Sequence, residues 1–151
     1  MLLGLLLGTL LGVLLAALSL WNSWARAIVQ PAMTVIRCTP VASFIMVLWI
    51  LIGREAVPQA VALLMVAPVV WQGLCDGYAQ LDSQLDEVLR VFPRVLLTRL
   101  RLLVLPGLRV PFLTALSNAA GLAWKSGIAA EIIAYTANSI GRQIADARNL
   151  F

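Results

Sequence analysis

Two sets of residues have the types and spacing to do chemistry. One is a charged segment in mid-chain, where Glu87 and Arg90 stand among leucines at helical spacing. The other is a pair of ionisable residues, Lys125 and Glu131, inside an apolar stretch. Ionisable residues in apolar surroundings are typical of membrane proteins, where they pair with one another or mark a transport path.

The sequence lacks the residues of common catalytic sites. It has no histidine, and its two cysteines, Cys38 and Cys75, lack the spacing of a zinc site. Lys125-Ser126 looks like the end of a phosphate-binding loop, but Trp124 stands where the glycine is required. Hydrolytic triads are unsupported without a histidine base. We therefore expect no catalytic residue, metal or cofactor on this chain.

The composition predicts an integral membrane protein. Of 151 residues, 62% are hydrophobic and 12% charged, whereas soluble domains have roughly 25% charged residues. The mean hydropathy is +0.95. The net charge of +4 comes from 11 basic residues, most of them in one segment between apolar runs, as in a juxtamembrane loop. Lipid, and not nucleic acid, is the expected surrounding.

Four apolar segments predict an all-α membrane domain covering residues 1–151. The predicted spans are residues 1–21, 36–53, 56–75 and 110–135, with a charged segment outside the lipid core at 80–108. The second run, Val41 to Ile52, is short for a span, so its helix either borrows residues from before Pro40 or is discontinuous. Residues 22–40, which are polar and broken by prolines, are predicted to form an interfacial elbow.

Three glycines of the first span, Gly4, Gly8 and Gly12, predict close helix packing. Their four-residue spacing places them on one helical face, where another backbone can approach. A ligand role is the less favoured alternative.

The distribution of arginines predicts the orientation of the spans, because cytoplasmic loops carry an excess of basic residues. With the charged segment inside, the first and third spans run inward and the second and fourth run outward. Seven arginines then lie inside and three outside: Arg26, Arg37, Arg90, Arg94, Arg99, Arg101 and Arg109 against Arg54, Arg142 and Arg148.

Lys125 lies roughly 22 Å along the fourth span. Facing lipid would cost a lysine about 2.5–3.5 kcal/mol, so Lys125 is expected to face a cavity, a polar group of another helix or a symmetry mate. We take Lys125, Glu131 and Asn118 as candidate residues of a translocation path, with a structural ion pair as the alternative for Lys125. Glu131 fits packing or gating better than substrate binding.

The segment from Glu87 to Pro106 resembles the cytoplasmic signature of ABC importer permeases, E-A-A, three residues, G, nine residues, I-x-L-P. Glu87–Leu89 occupy the E-A-A positions, Pro93 replaces the glycine, and Leu103–Pro106 complete the pattern. Val88 and Leu89 are larger than the usual alanines, so we expect docking to be less close than in the family pattern. On composition alone, the segment is an amphipathic helix pair lying in the headgroups.

The resemblance implies a coupling helix that docks on a separate ATPase subunit. The residues to which it assigns this role are Asp86, Glu87, Arg90, Phe92, Pro93 and Arg94. ATP and Mg would be bound by that partner. The resemblance also implies a type I importer permease core, a homodimer with a second permease copy, an extracytoplasmic substrate-binding protein, and a multi-pass location in the bacterial inner membrane.

Further stretches are similar to the nitrate, sulfonate and taurine branch, namely residues 1–20, the elbow sequence QPAMTVIRCTPVASF and residues 121–135. That branch usually has one helix before the first span and one after the last, so we expect a trimmed protein. The predicted function is import of a small, anionic solute. The alternatives are a self-sufficient small transporter or channel, and a membrane scaffold or anchor that moves nothing.

Overall fold

The computed structural model describes residues 1–81 and 100–150, with side chains for residues 1–81 and 100–148. The regular elements in these ranges are all helical. They are α1 (Leu2–Trp21), α2 (Ser23–Cys38), α3 (Val41–Ile52), α4 (Val57–Ala79), α5 (Leu105–Ala134) and α6 (Ile140–Leu150). A π-helical turn, Leu100–Val104, leads directly into α5.

Three described stretches are long and apolar enough to cross a membrane, namely Leu2–Trp21, Val57–Ala79 and Leu100–Ala134, with 20, 23 and 35 residues. Together, α2 and α3 form a fourth crossing if the bent pair is taken as one span. Even α1, at about 1.5 Å per residue, reaches the roughly 30 Å of the hydrocarbon core. The predicted all-α membrane fold is confirmed.

The predicted second span, residues 36–53, is not one helix. The chain breaks at Thr39 and Pro40, and α2 and α3 meet at 101°. Since α3 has 12 residues, it reaches only about 18 Å. Of the two alternatives for this run, the discontinuous one describes the chain, because the residue before a proline is driven out of helical conformation.

The predicted elbow is a regular helix. Asn22 begins α2 by accepting a hydrogen bond from the Trp24 backbone N–H at 3.0 Å. The helix continues through Pro31, and the buried Met33 faces the core. The prolines and arginines concealed a helical pattern with one apolar side. Reading this stretch as broken was wrong.

The helix that carries the fourth span begins at Leu105, before the predicted span boundary at residue 110. Pro106 lies in its first turn, where the missing N–H needs no helical partner. Arg109 follows within the helix, because arginine is a good helix former and a charge does not end a helix. The expected membrane boundary is therefore not a helix boundary.

Helix α4 lies at the centre, with α1 parallel to it on one side. A Cβ added at Gly8 would lie 2.8 Å from Val66 Cβ, and one at Gly12 would lie 2.8 Å from the Ala67 carbonyl oxygen. Because real Cβ contacts are longer, only glycine permits this approach at these positions. The three predicted glycines of α1 thus all face α4.

A buried hydrogen bond also joins α1 to α4. Trp71 Nε1 donates to Ser19 Oγ at 3.0 Å, and Ser19 Oγ donates to the Leu15 carbonyl at 2.7 Å. Both Trp71 and Ser19 are 3% exposed. Because an unpaired donor is costly in an apolar interior, this bond fixes the rotation of α1 on α4.

Helix α5 packs antiparallel to α4 on the other side. A Cβ at Gly73 would lie 2.5 Å from Ala115 Cβ, and one at Gly77 would lie 2.6 Å from Pro111 Cβ. We refer below to the Ala79 end of this bundle, where α4 finishes and α5 begins, and to the Ala134 end, where α5 finishes. The parallel pair α1 and α4, with α5 opposed, agrees with the predicted directions of the first, third and fourth spans.

Helix α3 packs near the Ala134 end. Ile45 of α3 is fully buried in a small core with Val57 and Val61 of α4 and Ala130 and Ala134 of α5. This contact packs the short α3 against both of the longer helices.

Candidate translocation surface

Helix α5 has two unlike faces. Its buried face is a row of small residues spaced by four, Ala115, Ala119 and Ala123, which packs on the bundle. The opposite face carries Thr114, Asn118, Gly121 and Lys125, and all four are exposed. The seven residues from Asn118 to Lys125 correspond to about 700° of rotation, which leaves them only about 20° apart. We call these four residues the α5 polar stripe.

Gly121 lies in the middle of this stripe and packs on nothing. A Cβ built there would meet no atom within 4 Å in the described structure. Glycine within a helix costs roughly 0.5–1 kcal/mol relative to alanine. Unlike the glycines of α1, Gly121 therefore has no role in packing within the described chain, and its open backbone is available to a molecule outside it.

Lys125 is exposed, nine residues before the end of α5 at Ala134, or about 13 Å along the axis. In the described part of the chain it makes no ion pair or hydrogen bond. A lysine at this depth in lipid would be costly. The structure thus excludes a partner for Lys125 among residues 1–81 and 100–148, and leaves its charge directed away from the bundle.

A cavity of about 330 Å³, with a mixed polar and apolar lining, adjoins the stripe towards the Ala79 end. Its polar lining comes from three helices: Arg37 of α2, Gln72, Asp76 and Gln80 at or beside the end of α4, and Thr114 and Asn118 of α5. Gln72 Nε2 donates to Asp76 Oδ1 at 2.7 Å. Because Thr114 and Asn118 belong to both features, the stripe and the cavity are continuous with each other.

Sequence reasoning missed two residues of this cavity, Arg37 and Asp76. They lie on different helices far apart in the chain, so no spacing links them. Their only sequence signal was that both are charged residues beside apolar runs. The fold brings them together because α2 crosses to the end of α4.

A second cavity, of about 490 Å³, continues from the first at the Ala79 end. Leu81, Leu102 and Leu103 all line it. The chain therefore leaves the described bundle and re-enters it at the same end, on either side of residues 82–99. The six predicted coupling residues, Asp86, Glu87, Arg90, Phe92, Pro93 and Arg94, lie outside the described residues.

Glu131 does not lie on the polar stripe. Its Oε2 accepts a hydrogen bond from the Gly141 backbone N–H at 3.0 Å, at the start of α6. Ser139 Oγ accepts from the Arg142 N–H at 3.1 Å in the same turn. A carboxylate beside free N–H groups at a helix N-terminus is stabilising. The structure brings together Asn118 and Lys125, and places Glu131 in the connection to α6.

Side chains at the Ala134 end hold α6 against α5. Tyr135 OH donates to Asp146 Oδ1, and the Arg142 guanidinium lies 4.7 Å from the centre of the Tyr135 ring. Arg142 and Asp146 also form an ion pair at 3.6 Å. The hydrogen bond to the Asp146 carboxylate raises the pKa of Tyr135. We call Glu131, Tyr135, Arg142 and Asp146 the α6 clasp.

The loop between α3 and α4 is tied to the same end. Thr136 Oγ1 donates to the Arg54 carbonyl at 3.3 Å, and the Ala137 N–H donates to Glu55 Oε1 at 3.3 Å.

Within the described ranges, no three Cys, Asp or Glu residues converge to form a metal site.

Comparison with known proteins adds a family to this geometry. Individual curated proteins give no match. The family described as the binding-protein-dependent transport system inner membrane component matches residues 8–151, from within α1 to the end of the chain. The match covers the membrane-crossing helices, the polar stripe and the segment between α4 and α5. The chain therefore belongs to the family of binding-protein-dependent transport system inner membrane components, the permease components of ABC transporters.

Proposed function

We propose that this chain is the permease subunit of an ATP-driven importer that moves a small anionic solute across the cytoplasmic membrane. The observation that carries the proposal is the family match over residues 8–151. The family name states that transport depends on a binding protein. We assign this binding protein to the extracytoplasmic side. Hydrolysis of ATP, with its Mg, takes place on separate ATPase subunits.

The path is assigned to the α5 polar stripe. An exposed row of hydrogen-bonding groups on a membrane-crossing helix is unfavourable in lipid and favourable beside water or solute. Gly121 and Lys125 of the stripe have no packing or ion-pair partner within the described chain, so we assign the completion of the enclosure to a second copy. Gly121 lets that copy or the solute approach the backbone. The path accordingly lies at the interface of a homodimer.

We assign a negative charge to the solute from two cations, while Asp76 of the same cavity accepts a hydrogen bond from Gln72. Lys125 on the stripe and Arg37 in the adjoining cavity both lack an ion-pair partner among the described residues. Cations along a pore favour anions. A solute of the nitrate, sulfonate or taurine type, as in the branch that the sequence resembles, fits this surface.

Residues 80–108 transmit the motion driven by ATP hydrolysis to the helices of the bundle. The flanking Leu81 and Leu102 lie at one end of the bundle, so movement of the segment between them acts directly on α4 and α5. Through Glu87, Arg90 and their neighbours, that segment docks on the ATPase. Closure of two ATPase subunits then shifts α4 and α5, which line the cavity together with α2.

The test is uptake of labelled taurine, an alkanesulfonate and nitrate into proteoliposomes that contain the chain, its ATPase subunits and its binding protein. Glu87→Lys should abolish ATP-dependent uptake and weaken ATPase assembly. Asp82→Lys, in the same segment but outside the signature, should leave both largely intact. Normal uptake and assembly by Glu87→Lys would refute the proposal, and uptake without any ATPase would favour a self-sufficient transporter.

A second variant separates transport from anchoring. Lys125→Leu should reduce uptake at least tenfold while ATPase subunits still assemble on the chain. Arg148→Leu is the matched control, because it removes an exposed cation from α6, away from the stripe. Full uptake by Lys125→Leu would remove the stripe from the path, and a chain that assembles with the ATPase yet never transports would be a scaffold.

A further inference from the structure

Helix α6 carries an apolar stripe that is uncovered in the described chain. Ile140 is 51% exposed and Ile144 is 48% exposed, and Ala147 is exposed as well. Spacings of four and three residues place these side chains on one helical face. The stripe therefore belongs to the surface of the folded chain and not to its core.

The other faces of α6 are occupied. Gly141 is buried against α5 and Ala145 is half-buried. About 200° from Ile140, Arg142 begins the polar side of the helix and joins Asp146 in the α6 clasp. The helix therefore has three sides. One side packs on α5, the second is polar, and the third is apolar and exposed. A helix with opposed polar and apolar faces is typical of segments that lie at a membrane surface.

The position of α6 relative to the membrane follows from its contacts. Gly141 packs on Glu131 and Ile132, in the last turn of the crossing stretch Leu100–Ala134. Ile140, the preceding residue, is thus level with the end of the span, where hydrocarbon meets headgroups. At the same level Ile133 of α5 is 38% exposed and Tyr135 is 37% exposed. Tyrosine is a residue enriched at this depth.

We infer that the stripe of Ile140, Ile144 and Ala147 is a lipid-binding surface, inserted at the boundary between headgroups and acyl chains at the Ala134 end. Lipid is the occupant because the stripe begins level with the end of a membrane-crossing stretch, where exposed apolar side chains such as Ile133 meet the bilayer. The α6 clasp sets the rotation of the helix, directing its polar side to water and its isoleucines to the bilayer. This inference does not rest on the proposed transport function.

The clasp explains why α6 needs lipid. Apart from Gly141 and Ala145, the described contacts that hold α6 on α5 are polar and partly exposed, with Arg142 and Asp146 41% and 47% exposed. Exposed ion pairs contribute little to stability. Insertion of two isoleucines supplies the apolar burial that α5 alone does not provide.

The test uses nitroxide labels on a chain carrying Cys38→Ser and Cys75→Ala, reconstituted in phosphatidylcholine vesicles. Ile144→Cys places the label on the stripe, and Gln143→Cys places it on the neighbouring exposed position, about 100° away. Accessibility to oxygen, which concentrates in lipid, is compared with accessibility to a water-soluble nickel chelate. Ala147→Cys provides a second position on the stripe should Ile144→Cys fail to fold.

The label at residue 144 should collide with oxygen several times more, relative to the chelate, than the label at residue 143. Residue 147 should behave like residue 144. Equal exposure of both positions to the chelate would overturn the inference. Protection of residue 144 from both reagents would also overturn it, because the stripe would then be covered by protein, either a second copy or a partner subunit.

Discussion

Replacing Gly8 by alanine tests the close packing of α1 on α4. The added Cβ would lie 2.8 Å from Val66 Cβ and 3.0 Å from the Leu63 carbonyl oxygen. Carbon atoms prefer separations of about 3.5–4.0 Å, so α1 would have to move by roughly 1 Å. The backbone atoms of α4 cannot yield as the end of a flexible side chain can.

The expected cost follows from two opposing effects. Overpacking a tight contact costs about 1–3 kcal/mol, and replacing a helical glycine by alanine returns about 0.5–1 kcal/mol. Mid-range values of about 2 and about 0.75 kcal/mol give a net loss in free energy of unfolding of roughly 1.2 kcal/mol, or about eightfold in the folding equilibrium. Gly121→Ala is the matched control, since its Cβ would meet nothing within 4 Å in the described structure.

Reversible unfolding of the two variants in mixed SDS and neutral-detergent micelles provides the measurement. Tryptophan emission is the readout, because Trp71 is buried and hydrogen-bonded to Ser19 of α1. Gly8→Ala should unfold at a lower SDS fraction than the parent chain, and Gly121→Ala should unfold at the same fraction or a higher one. The reverse order would refute the packing argument.

Two further predictions concern single side chains. Ser19→Ala leaves the buried Trp71 Nε1–H without its acceptor and should cost about 1–3 kcal/mol. In the double variant Ser19→Ala, Trp71→Phe the loss should be smaller than the sum of the two single losses; unfolding in micelles followed by circular dichroism checks this, and additive losses would contradict the hydrogen bond. The raised pKa of Tyr135 means that the protonated hydroxyl holds the clasp, so this contribution is full below the ordinary pKa of 10.0 and is lost as pH rises through the higher folded value. The absorbance difference between the parent chain and Tyr135→Phe should titrate with a midpoint above pH 10. That midpoint should move to lower pH in chains that carry Asp146→Asn. A midpoint at or below pH 10 in the parent chain would contradict the assigned cause.

Much of the fold was accessible from local pattern. A charge-free apolar run predicted α1, and fixed helical spacing placed Gly4, Gly8 and Gly12 on one face. The alignment of Asn118 with Lys125 is likewise a property of one helix. These features depend only on residues close in sequence, which is why spacing alone was informative.

Other features needed the fold. The 101° bend between α2 and α3 depends on how Met33 and Ile45 pack on different parts of the core, although Pro40 signalled the break. The cavity between Arg37 and Asp76 requires three helices to meet. Glu131 accepts a hydrogen bond from a backbone N–H across a turn. Because the partner is a backbone group, the sequence pattern could not identify it.

The most direct test of the account is the side of the membrane on which the segment between α4 and α5 lies. Arg101→Cys and Arg148→Cys, each in the chain with Cys38→Ser and Cys75→Ala, are treated with an impermeant maleimide in right-side-out and inverted vesicles. We predict that position 101 reacts only in inverted vesicles, where the cytoplasmic face is exposed, and that position 148 reacts only in right-side-out vesicles. Reaction of position 101 in right-side-out vesicles would place the segment beyond the reach of any ATPase and contradict the account.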